Sequence, residues 1–163
     1  MTWESILHAS LRLFIAAICG GIVGWERESH EKGAGFRTHM LICVGACLFG
    51  LLTLEIRKSF PDADVMRVVQ GLLLAIGFLC GGVIFTRQGS VQGLTTAAGL
   101  WVLTGVGLAI GFGFYFLGAL GTALAFVIIG MLKSGEIWLR ATFTSGRSDT
   151  ADDEEDEEPP GGP

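Results

Sequence analysis

The sequence predicts an all-α polytopic membrane protein, a bundle of about five transmembrane helices. Three observations predict it. Half of the 163 residues are hydrophobic and 17% are charged, against about 25% charged in ordinary soluble domains. Mean hydropathy is +0.56. The charge-free runs are long enough, singly or together, to cross a bilayer, which takes about 20 apolar residues per helix.

The runs follow in order. The first covers residues 13–25 and extends back through Arg12 to Ile6. It lacks a small-residue cleavage site and ends in Trp25-Glu26-Arg27-Glu28, so it is expected to stay as a helix and not be removed as a signal peptide. The second covers 38–54 and the third 68–86. The last, 88–132, holds 45 residues, too many for one span and enough for two. Gly111-Phe112-Gly113 is its expected break, because paired glycines permit a tight turn. Residues 1–132 thus form the transmembrane domain. Residues 133–148 read as an interfacial extension with Ile137, Trp138 and Leu139. Residues 149–163 read as a disordered acidic tail, too polar to offset its ordering entropy.

That tail explains the formal charge of −5. Eight acids lie between Asp149 and Glu158, so residues 1–148 carry eight acids against eleven Lys and Arg. Five spans put the termini on opposite sides. With the N-terminus outside and the C-terminus cytoplasmic, the cytoplasmic segments hold Arg27, Lys32, Arg37, Arg87, Lys133, Arg140 and Arg147. The other side holds Arg12, Arg57, Lys58 and Arg67, which satisfies the positive-inside rule.

Glycines at spacing four, Gly20 with Gly24, Gly77 with Gly81 and Gly107 with Gly111, predict close helix packing within a bundle, a homo-oligomer, or both. Cys19, Cys43, Cys47 and Cys80 fall in apolar runs and read as small packing residues. The polar clusters are more pointed. Glu26, Arg27 and Glu28 close the first span, while Arg37, Thr38 and His39 open the second. Their expected role is a clamp of Glu26, Arg27, Arg37, Thr38 and His39 across the two helices, since an unpaired charge near hydrocarbon is costly. A Mg²⁺ site on the carboxylates is the competing reading, which the interleaved arginines oppose. Thr95 and Thr96 open the fourth span as caps or as hydroxyls facing a cavity, Gln70 reads as an interhelical hydrogen-bond partner, and Arg12 is expected to snorkel to the outer interface.

No phosphate-cradling loop, Ser/His/Asp set, His-Glu-x-x-His or basic nucleic-acid stripe occurs. The expectation is therefore no catalytic residue, no metal site and no cofactor. The expected partners are the lipid bilayer, other membrane proteins and a second copy of the chain, with no nucleic acid.

Gly20-Gly21-Ile22-Val23-Gly24-Trp25-Glu26-Arg27-Glu28 and Gly35-Phe36-Arg37-Thr38-His39-Met40-Leu41 resemble the opening signature of the MgtC/SapB membrane proteins. Ala75-Ile76-Gly77-Phe78-Leu79-Cys80-Gly81-Gly82-Val83-Ile84-Phe85 resembles that family's third-span block, and Gly93-Leu94-Thr95-Thr96-Ala97-Ala98-Gly99-Leu100-Trp101-Val102 the start of its fourth. The likeness covers roughly residues 8–132. Ala75, Cys80 and Gly81 depart from the usual third-span pattern, and Gln70 stands one place before the family's glutamine, at Gly71. The acidic tail stands where longer members carry a soluble domain, so the likeness is to the short, SapB-like form.

The resemblance implies a bacterial inner-membrane protein that is a regulator or accessory factor in magnesium limitation or acid stress, associated with virulence in pathogens. Gly77, Phe78, Thr95 and Thr96 would shape the packing or a cavity between the facing helices. Arg37→Ala is expected to abolish function without loss of membrane insertion. The alternative is a channel or secondary carrier for Mg²⁺ or another small solute, whose path would run between helices two, three and four.

Overall fold

The computed structural model describes residues 3–29, 34–87 and 90–145, with side chains described through Gly130 except at Arg87. Helix α1 spans Trp3–Glu28, α2 Phe36–Ser59 and α3 Val65–Val83. A short ribbon, β1 Phe85–Arg87 and β2 Ser90–Gln92, leads to α4 Leu94–Phe112 and α5 Tyr115–Ser145. The first four helices are long and apolar enough to cross a membrane by length and composition, and α5 contributes the shorter apolar stretch Tyr115–Gly130. The chain is an all-α polytopic bundle.

Local chemistry sets the boundaries. The carboxylate of Asp64 accepts from the Met66 N–H at 2.9 Å and opens α3 after the Pro61 turn. Gly113, at φ +91°, ends α4, and N–H groups of Gly113 and Phe114 reach Ile110 O and Ala109 O at 2.9 and 2.8 Å. This left-handed cap is the break expected at Gly111-Phe112-Gly113. Helix α3 ends at Val83, before the end of the charge-free run at 86, and the polar stretch beyond it is not irregular throughout. Residues 85–87 and 90–92 form an antiparallel pair in the register Phe85↔Gln92, Thr86↔Val91, Arg87↔Ser90. Gly93, at φ +88°, turns the chain from it into α4, and a Cβ there would collide with Val83 O.

Helix α4 is the axis of the molecule, with eleven of its side chains or glycines buried. The glycine pairs account for its position. A Cβ on Gly107 would strike Cys43 O, and one on Gly111 would lie 2.5 Å from Cys47 O, so α2 and α4 meet backbone to backbone. Gly20 and Gly24 do the same for α1 on α2, where a Cβ would lie 2.6 Å from His39 O and 2.8 Å from Phe36 Cα. In lipid such contact replaces the hydrophobic drive that holds soluble helices together. The core they close contains Ala16, Val23, Cys43, Cys47, Leu103 and Ile110.

Helix α3 differs. Only Ile76 and Cys80 on it are buried, and the Cys80 thiol donates to Ala97 O of α4 at 3.2 Å. Leu74 and Phe78 are 79% and 84% exposed, which suits a surface solvated by lipid tails. Residues 133–145 continue α5 as helix, and the expected interfacial role of their side chains lies outside the described residues, as does the acidic tail at 149–163.

Candidate functional site

Close packing at Gly20 and Gly24 brings the end of α1 against the start of α2, and two side chains are sealed between them. Arg27 is 5% exposed and His39 0%. The His39 ring lies 2.9 Å from Gly35 O through Nδ1. A carbonyl oxygen only accepts, so Nδ1 carries the hydrogen and the neutral ring presents Nε2 as an acceptor. That Nε2, together with Nε and NH2 of Arg27, is buried without a hydrogen-bond partner among the described residues. Arg27 lies in the last turn of α1 and His39 in the first turn of α2, where the two helices meet at Gly24. A cation in the last turn of α1 suits the helix dipole.

Around this pair, Glu26 is half-buried, and its carboxylate lies 3.6 Å from where a Cβ on Gly130 of α5 would stand. The acid that ties α1 to α2 directly is Glu28, whose Oε2 accepts from the Phe36 N–H at 2.7 Å and so caps the first turn of α2. Trp25 and Phe36 pack edge to face above it, with centroids 6.3 Å apart. Of the five expected clamp residues, the fold brings Glu26, Arg27 and His39 together. Arg37 and Thr38 are exposed and point away from the sealed pair. The packing set divides likewise. Thr96 is buried, Thr95 is exposed, and Gly77 and Phe78 lie on the outward face of α3, where a Cβ on Gly77 would meet nothing within 4 Å.

The opposite end of the bundle has a polar centre whose role the sequence did not reveal. Arg12 does not run out alone to an interface. Its NH1 donates to Gly111 O at 2.8 Å and its Nε to the Tyr115 hydroxyl at 3.1 Å, with the guanidinium carbon 5.8 Å from the Tyr115 ring centroid. Arg12 therefore pins the α4–α5 turn onto α1 and satisfies a carbonyl left over at the end of α4. The available signals were a lone arginine in an apolar run and the single tyrosine of the chain.

Between the two ends the interior is apolar. Thr104 and Thr122 are buried there, yet each hydroxyl donates to the carbonyl four residues back on its own helix, at 2.9 and 2.8 Å, as does buried Thr53 beyond Gly50 at 2.7 Å. They present no free polar lining. No group of three or more His, Cys, Asp or Glu that could hold a metal ion occurs among the described residues.

A helical bundle with an apolar interior and an apolar outer surface, with Arg27 buried near one end and Arg12 half-buried near the other, is an integral membrane protein of the small polytopic kind. The chain belongs to the MgtC family, whose model matches residues 13–137. Over 151 residues it is 36% identical to YhiD of Escherichia coli (strain K12), whose name carries a provisional assignment as a magnesium transporter; the match covers 88% of this chain and 64% of that protein. It is 33% identical over 133 residues to protein MgtC of Brucella abortus (strain 2308), covering 82% and 55% of the two. Protein SrpB of Synechococcus elongatus is 32% identical over 150 residues, with 84% of this chain and 82% of that one covered. The chain thus spans less than two thirds of the YhiD and MgtC relatives and most of SrpB. No solved structure matches it.

Proposed function

We propose that this protein is a non-enzymatic component of the bacterial inner membrane, N-terminus outside and C-terminus cytoplasmic, that modulates other membrane machinery during magnesium limitation or acid stress. In a pathogen the same role would serve survival in the host. The observation that carries this reading is the apolar seal between the Arg12 and Arg27 ends. A carrier or channel needs ionisable or polar groups at depth to replace the hydration of an ion. Here the buried hydroxyls of Thr104 and Thr122 at that depth are already bound to their own helices.

A modulator needs a surface for its target, and α3 supplies the favoured one. The Gly77 and Gly81 pair has the spacing that the molecule uses internally at Gly20/Gly24 and Gly107/Gly111, but it faces outward. A helix of another membrane protein could approach there as closely as α1 and α4 approach α2. The exposed Arg37 and Thr38 flank the buried pair at the cytoplasmic end and would give such a partner a charged handle.

The provisional transporter assignment in the name of the YhiD relative favours a second reading, in which the chain moves Mg²⁺. Growth in low-magnesium medium separates the two, using a strain deleted for its own copy. Wild-type protein should restore growth without changing the initial rate of cellular Mg²⁺ uptake, and Gly77→Leu at equal membrane level should fail to restore it. Restored growth accompanied by faster uptake, or full rescue by Gly77→Leu, would count against the modulator.

A further inference from the structure

Helices α1 and α2 outrun the α4–α5 turn at the Arg12 end. Nine residues of α1, Trp3–Leu11, precede Arg12, and nine of α2 follow Gly50, whose Cα lies within 3.1 Å of the Cβ position on Gly111. At 1.5 Å per residue each arm extends about 13 Å past the level of that turn. Between the arms lies a cavity of about 640 Å³ with Arg12 and Tyr115 among its lining residues. Its walls are leucines, including Leu48, Leu51 and Leu52, and polar residues among its lining include His8, Glu55 and Lys58.

The charges are unevenly matched. Glu55 and Lys58 neutralise one another across 2.6 Å. Arg12 has only neutral partners among the described residues: a hydroxyl, a carbonyl and an aromatic face. Two of the five N–H donors of its guanidinium are used in those bonds. The site therefore has a fixed cation at its floor, an apolar body and a polar mouth. That volume and that mixture of apolar wall with a few directed polar groups are those of a small-ligand site.

We propose that this cavity binds an organic anion with an apolar body, its oxyanion head on Arg12 and its hydrocarbon against the leucine walls. A cation is disfavoured by Arg12, and a fully polar anion would leave the leucines wet. A free carboxylate such as a medium-chain fatty acid and an anionic phospholipid both carry this chemistry. The site is independent of the sealed Arg27–His39 pair and of the modulator role.

The test uses the full chain, delipidated in a neutral sugar detergent, with binding followed by calorimetry and native mass spectrometry. Octanoate should bind saturably, and octanol about tenfold more weakly, because a charge-assisted hydrogen bond is lost. Ala9→Phe should fill the cavity while keeping the arginine and abolish octanoate binding, with Leu52→Trp as a second blocker from α2 should the first variant fail to fold. Phosphatidylglycerol arms identify the source: competition with octanoate makes the bilayer lipid the natural occupant, and its absence makes a soluble anion the occupant. Equal binding of octanoate and octanol, or wild-type octanoate binding in a folded blocked variant, would overturn the proposal.

Discussion

Two arginines on one helix, fifteen residues and about 22 Å apart, meet the membrane interior in opposite ways. Arg12 is bonded to a carbonyl and a hydroxyl and faces a cavity. Arg27 is buried near His39, and two of its guanidinium nitrogens and one imidazole nitrogen have no partner among the described residues. The first arrangement is a structural lock whose bonds stabilise the α4–α5 turn. The second costs stability, because a buried donor without an acceptor keeps its desolvation penalty. A protein that retains such a pair holds it for a reason other than folding, which is why the Arg27 end is the better candidate for function.

The difference can be broken by substitution, and the largest effect belongs to the packing that supports both ends. Gly107→Leu would drive a side chain into the backbone of α2 and should cost about 3 kcal/mol, read as a fall in the detergent-denaturation midpoint and in membrane yield. Gly77→Leu, on the open face of α3, should leave that midpoint unchanged.

Next in size is Arg12→Met. It strands Gly111 O and removes the Tyr115 contact, so a loss of about 1–3 kcal/mol is expected in the same measurement. Arg27→Met should move in the other direction. Replacing this buried cation, two of whose nitrogens lack a partner among the described residues, by an apolar side chain of similar length should gain about 1 kcal/mol, while growth rescue in low magnesium is lost. A destabilised Arg27→Met would mean that the guanidinium has a partner in the folded membrane protein and would remove the contrast.

The smallest effect is that of Arg37→Ala. Its side chain is exposed, so stability should change by less than about 0.5 kcal/mol. Loss of rescue in that variant would then be assigned to a surface contact and not to the clamp.

Much of this architecture was legible from residue order. Charge-free runs located the helices, and Gly111-Phe112-Gly113 located the tight turn, because both signals are local. Spacing alone could not tell which glycine pairs face inward: Gly77 with Gly81 and Gly107 with Gly111 have the same period, and only the fold shows that one pair meets α2 and the other meets nothing. The clamp was half legible for the same reason. Arg37, Thr38 and His39 are consecutive on a helix, so about 100° separates each from the next, and only His39 turns toward α1. The β1–β2 ribbon was missed because three paired residues on each side are too few to show an alternation. The bonds of Arg12 were not legible because its partners lie 99 and 103 residues away.

The measurement that tests the sealed interior most directly is Mg²⁺ and H⁺ flux into liposomes containing the purified, correctly inserted protein. The expected result is flux no greater than that of protein-free vesicles, for wild type and for Arg27→Met alike. Saturable Mg²⁺ flux in the wild type that disappears in Arg27→Met would contradict the seal and make the Arg27–His39 pair part of a transport path.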